Sequence, residues 1–174
     1  SDRNDIHYLT FATKGDSIDF GDLLATTRGG GSNSNTTRGI LGGGRTPTQV
    51  NTIQYITIAS TGNAVDFGDL TQNNSNQGGT ASPTRGIFAG GADWPSMKDE
   101  IDFVTIATLG NAQDFGNLIQ NQAHNNGATS STRAVYGPGS QSPSYTHYET
   151  ITMATLGDAI EFGDSTGSIG WKTG

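Results

Sequence analysis

The tripeptide Asp-Phe-Gly occurs at Asp19-Phe20-Gly21, Asp66-Phe67-Gly68 and Asp114-Phe115-Gly116, with Glu161-Phe162-Gly163 as a conservative fourth copy. In phosphotransferases this tripeptide holds magnesium, but only beside a glycine-rich phosphate loop, a strand-borne Lys and a catalytic-loop Asp, which are missing here. Regular recurrence points instead to a structural element. A second acid turns the copies into carboxylate pairs, Asp19/Asp22, Asp66/Asp69 and Glu161/Asp164, the ligand type that calcium prefers. Side chains three apart on a regular strand point to opposite faces, and the remaining copy carries Asn117, so no metal site is expected. His7, His124 and His147 fall in no HxH or HExxH spacing, and no Ser-His-Asp set or phosphate loop stands out. The absence of cysteine excludes disulfides, thiolate nucleophiles and cysteine-rich zinc sites. The expectation is a protein that is not an enzyme and carries no cofactor.

An Arg recurs as well, in Thr37-Arg38-Gly39-Ile40, Thr84-Arg85-Gly86-Ile87 and Thr132-Arg133-Ala134-Val135. Its planar fork matches a carboxylate bidentately, so structural pairs are expected between Arg38, Arg85 and Arg133 and the recurring acids Asp19, Asp66, Asp114 and Glu161. The alternative is a ring of Arg that binds anionic groups around a central pore.

These residues recur because the chain itself repeats. Phe20, Phe67, Phe115 and Phe162 fall 47, 48 and 47 residues apart. Ahead of each lies a β-branched and aromatic run: Ile6–Thr13, Ile53–Ser60, Ile101–Thr108 and Tyr148–Thr155. The unit reads as four strands. The first is small and polar, as in Gln77–Ser82, where close neighbours leave no room for side chains. The second is Gly86–Ala89, closed by Gly90-Gly91, and the third is the Ile-x-Tyr-x-Thr-Ile-Ala strand. A tight Gly-Asn turn is expected to lead into the fourth, Ala64–Leu70. No segment holds a helical period over about ten residues, so the fold class is all-β, with a half unit at residues 4–25, whole units at 27–72, 75–120 and 123–164, and a tail or closing strand at 165–174.

Composition narrows the partners. A net charge of −7 with nine scattered Lys and Arg provides no basic stripe, so nucleic acid is not an expected partner. No apolar run approaches the roughly 18 residues of a membrane-spanning helix, so membrane insertion is not expected. Only 32% of residues are hydrophobic, yet they gather in short clusters between turn residues, as in an all-β domain of short strands.

A four-stranded unit with small residues first and a Gly-Gly doublet closing strand two (Gly43-Gly44, Gly90-Gly91) resembles the Kelch repeat, which implies a β-propeller of four-stranded antiparallel blades. The departures are Phe in place of the family's Trp late in strand four, and Gly137-Pro138-Gly139 in place of the third doublet. The wording of residues 57–70, TIASTGNAVDFGDL, and 82–91, SPTRGIFAGG, also looks like propeller-type repeats in large structural and tail-fibre proteins of marine bacteriophages, which implies a virion or extracellular setting. The copper site of galactose oxidase, which shares the Kelch fold, needs a cysteine-modified Tyr, and this chain has no Cys. A sialidase-like Arg triad is hard to assemble when every Arg except Arg3, Arg28 and Arg45 belongs to the repeat. The chain opens on strands three and four and starts with Ser, so it is expected to be processed or part of a longer array. Alternatively, a second copy complements it across a ring.

Function in such a scaffold is expected where the copies differ. The connections from strand two to three vary most: residues 45–49, 92–98 and 140–145. Those leading to the next unit, such as 72–76 and 120–126, are rich in Asn and Gln. Asp93, Trp94, His124, Asn125 and Tyr145 combine flat rings with amide and carboxylate hydrogen bonders, which suits cell-surface carbohydrate. The competing reading makes them solvated loops in a purely architectural repeat, bound only to other copies or further repeats. The sequons Asn35-Thr36-Thr37 and Asn73-Asn74-Ser75 are what chance provides in a chain this rich in Asn, Ser and Thr.

Overall fold

The computed structural model describes residues 3–140 and 146–167, and these are strands and connections with no helix. β1 (Arg3–Tyr8) and β2 (Ile18–Thr27) form an antiparallel pair. Three four-stranded sheets follow: β3 (Gly31–Ser34), β4 (Arg38–Gly42), β5 (Val50–Thr57) and β6 (Val65–Asn74); then β7 (Gly78–Ala81), β8 (Arg85–Ala89), β11 (Glu100–Thr105) and β12 (Gln113–Asn117); then β13 (Gly127–Thr129), β14 (Arg133–Tyr136), β15 (His147–Thr152) and β16 (Ile160–Asp164). Each is an antiparallel meander in sequence order. A small hairpin, β9 (Ala92–Asp93) with β10 (Ser96–Met97), is inserted between β8 and β11; the sequence pattern placed only a loop there. No helix of the described residues is long and apolar enough to cross a membrane.

The sheets stack face to face. Ile40, Ile53, Phe67 and Leu70 of the β3–β6 sheet meet Phe88, Val104, Ile106 and Ala112 of the next in one core. Ile87, Ile101, Phe103 and Phe115 meet Tyr136, Ile151 and Met153 in a second. The middle sheet is therefore apolar on both faces: Ile101 and Phe103 look one way, and Val104 and Ile106 the other. Hence the incomplete alternation in its sequence.

Each strand pair of the β5–β6 type carries a bulge at the same place, between Ile6/His7, Ile53/Gln54, Ile101/Asp102 and Tyr148/Glu149. The extra residue is the Phe of Asp-Phe-Gly, and the bulge re-aims its ring. Phe67 and Phe115 are each 2% exposed, in edge-to-face contact with Tyr55 and Phe103 at 5.9 Å. Stacking also explains the small first strands. A Cβ on Gly79 would lie 2.0 Å from the Ser32 carbonyl oxygen, so adjacent first strands approach backbone to backbone.

Among the described residues the stack does not close into a ring, and nothing stands beside β1 as β4 stands beside β5. A cleft of about 410 Å³ remains there, lined by Ile6, Leu23, Leu41, Gln54, Tyr55 and Ile56.

Candidate functional site

The recurrent motifs meet at the junctions between sheets. The Gly-Asn pair does not form the expected tight hairpin turn, since residues 58–64 separate β5 from β6. Instead that segment reaches the preceding sheet and bonds to its Phe-Gly-Asp backbone. Gly62, Gly110 and Gly157 donate N–H to the carbonyls of Phe20, Phe67 and Phe115 at 2.7, 2.8 and 2.8 Å. Ala64, Ala112 and Ala159 donate to Asp22, Asp69 and Asn117, each at 2.8 Å. The side chains of Asn63, Asn111 and Asp158 accept from the N–H groups of Asp22, Asp69 and Asn117 at 3.0, 3.1 and 2.9 Å. The approach requires glycine. A Cβ on Gly21, Gly68 or Gly116 would stand 2.4–2.5 Å from the carbonyl of Gly62, Gly110 or Gly157, and these glycines have φ between +143° and +148°.

The Arg-carboxylate pairing is not what forms. Arg38 and Arg85 donate Nη1–H to the backbone carbonyls of Ile106 and Met153 in the following sheet, at 2.6 and 2.8 Å. Their guanidinium groups lie 4.6 and 4.8 Å from the ring centres of Tyr55 and Phe103. Their cross-strand surroundings are thus an aromatic ring and a loop carbonyl, whereas Asp19, Asp66, Asp114 and Glu161 face solvent beside the bulge. Arg133 is exposed: Thr150 occupies the ring's position opposite it, and no described sheet follows.

One recurrent set escaped the sequence reading. Gln54, Asp102 and Glu149 are buried, and each accepts a backbone N–H from strand four of the preceding unit or the residues just beyond it: Leu24 at 2.8, Thr71 at 2.9 and Ile119 at 2.7 Å. Burial pushes the Asp102 and Glu149 carboxyls above the ordinary range, although the Thr71 and Ile119 donors work against it. The visible signal was a polar residue held at one fixed place in an otherwise apolar strand.

The variable connections come together at one end of each unit, through backbone bridges Arg28–Arg45, Ser75–Ala92 and Ala123–Ser140. Asp93 and Trp94 cap the β9–β10 hairpin, with Trp94 44% exposed. Gly91 N–H donates to the Gln122 carbonyl at 2.7 Å, which ties this hairpin to the segment carrying His124. His124 is exposed, but its partial desolvation pushes the ring pKa down and favours the neutral imidazole. Its φ of 56° matches Asn76 at 58° and Gly29 at 67°, the same position of each unit, so its backbone is scaffold while its side chain varies. Asn125 is not on the surface. It is 4% exposed, packs against Gly78, and among the described residues its amide has no hydrogen-bond partner. Tyr145 lies outside the described residues.

His147, Glu161 and Asp164 gather with ligand atoms within 4.8 Å of one another, and His147 Nδ1 lies 2.7 Å from Asp164 Oδ1. Glu161 and Asp164 do not point to opposite faces as a regular strand requires, because the bulge at Tyr148/Glu149 breaks the alternation between them. Exposed acids commonly gather this way without an ion.

No model of a known protein family matches the chain, and no curated protein is significantly similar to it.

Proposed function

We propose that this chain is a structural and adhesive module without enzymatic activity: a Kelch-like β-propeller segment whose scaffold displays a carbohydrate-binding edge. The observation that carries the reading is a division of labour. The recurrent Phe, Gly, Asn and buried polar residues are absorbed in the junctions between sheets, whereas Trp94, Asp93 and His124 break the repeat and stand at its loop end. An exposed indole next in sequence to a carboxylate, with an imidazole on the segment to which its hairpin is bonded, offers a sugar a flat face to stack on and groups for its hydroxyls. Sequential four-stranded meanders stacked through both faces have blade geometry, which supports the propeller reading. Placement in a phage virion or fibre rests on the wording of the repeats alone.

A glycan array tests the adhesive part. Binding to a defined set of glycans, reduced at least tenfold by Trp94→Ala with an unchanged circular dichroism spectrum, is the expected result. An array without signal, or full binding by the variant, refutes it.

A further inference from the structure

The junction described above occurs three times inside the chain, and among the described residues its two complementary halves also occur uncovered. On the last sheet, Gly163 holds φ +151°, like Gly21, Gly68 and Gly116, yet no described residue lies within 4 Å of where its Cβ would be. Phe162 is 56% exposed, whereas Phe20, Phe67 and Phe115 are 8%, 2% and 2%. Beside it is a depression of about 330 Å³ lined by Arg133, Thr150, Ile160 and Phe162. Its place corresponds to the seat that Met153 occupies between Phe103, Phe115 and Arg85.

The first half-sheet carries the other half. Gly15-Asp16-Ser17 stands at the repeat position of Gly62-Asn63-Ala64, the segment that supplies the N–H donors of each internal junction. Phe11 is fully exposed and Leu9 60% exposed, at the positions of Ile106 and Val104, which are buried at 0% and 2%. Gly163 held at the φ of the docked glycines with no described residue upon it, and large apolar side chains exposed on both faces, are two sides of one contact that the chain builds three times elsewhere.

We propose that the outer face of the β13–β16 sheet is a docking surface for a second copy of this chain, which seats its β1–β2 half-sheet there head to tail. The internal junctions fix the contacts: Gly15 N–H to the Phe162 carbonyl, Ser17 N–H to the Asp164 carbonyl, and the Asp16 carboxylate to Asp164 N–H. Phe11 fills the depression, with its carbonyl bonded by Arg133 as Met153's is by Arg85. The two patches differ, so the contact is heterologous and either closes a ring or extends a filament. The proposal rests on reading the chain as a repeat scaffold.

The test is sedimentation velocity on the purified chain from low to high micromolar concentration. Multiples of the monomer mass are expected, as one discrete ring or as a growing series. Phe11→Ser should weaken association roughly 10- to 100-fold, the worth of one buried Phe ring, without disturbing a monomer in which that ring is already in water. Gly163→Val should do the same by placing a side chain where the partner's backbone must come. Because the chain has no Cys, a mixture of the single variants Asp16→Cys and Asp164→Cys should form a mixed disulfide faster than either variant pairs with itself. A monomer at every concentration, unchanged association of the Phe11 variant, or a disulfide closing within one chain of the double-Cys variant overturns the proposal. Failure here leaves glycan binding at Trp94 untouched, so the two readings fall separately.

Discussion

Gly68→Ala separates the energy of a sheet junction from the conformational preference of glycine. At φ +147° an L residue costs about 1–3 kcal/mol before any neighbour is considered. The added Cβ would also stand 2.5 Å from the Gly110 carbonyl, so the two backbones must part. Parting them strains or breaks the bonds Gly110 N–H to Phe67, Ala112 N–H to Asp69 and Asp69 N–H to Asn111, at about 0.5–1.5 kcal/mol net each. The total is about 3–7 kcal/mol, a large share of the 5–15 kcal/mol typical of a domain. Gly163→Ala has the same φ term but meets no described residue at its Cβ, so it should cost about 1–3 kcal/mol. Urea unfolding of both variants, at concentrations where the chain is monomeric, gives the difference. Amide exchange at Gly110 and Ala112 localises it, because a stacked array can open one junction at a time. Equal cost at the two positions, or unchanged protection at Gly110 and Ala112 in Gly68→Ala, would refute the reasoning.

Two further perturbations test the buried polar groups. Asp102 and Glu149 have folded-state pKa values raised by burial, so their favourable contribution is complete below the unfolded carboxyl value near 4 and fades as pH rises through the folded one. Asp102→Asn with Glu149→Gln, which copies the amide that Gln54 already uses, should therefore raise Tm at pH 7 and flatten its dependence between pH 4 and 7; a lower Tm at pH 7 would sink this account. Tyr136 is fully buried with its hydroxyl 2.6 Å from Thr80 Oγ1 in the preceding sheet, so Tyr136→Phe should cost about 1–3 kcal/mol by stranding Thr80. Thr80→Val added to it should cost less than the two single changes together, whereas strict additivity in a denaturation cycle would show the pair to be uncoupled.

The repeat, the strand order and the all-β class were legible in the chain because they are periodic. The spacing of Phe20, Phe67, Phe115 and Phe162, with β-branched runs ahead of each, leaves one way to alternate sides and turns. The small first strands were legible for the same reason, since only a close neighbour makes small residues necessary, and Ser32 supplies that neighbour to Gly79. Which groups meet across sheets was not legible, because partners such as Arg38 and Ile106, or Thr71 and Asp102, belong to different units and follow no local spacing. Charge complementarity suggested Arg with Asp. The stacking brought instead a ring and a carbonyl to the Arg and left the acids in water. Similarly, Asn125 looked like its loop neighbours until the turn buried it against Gly78. By itself the sequence determined a periodic all-β unit and the positions where it breaks its own pattern. Tertiary structure decided which residues the junctions consume and which faces remain open, because a bulge and a left-handed turn re-aim side chains in ways that spacing along the chain does not record.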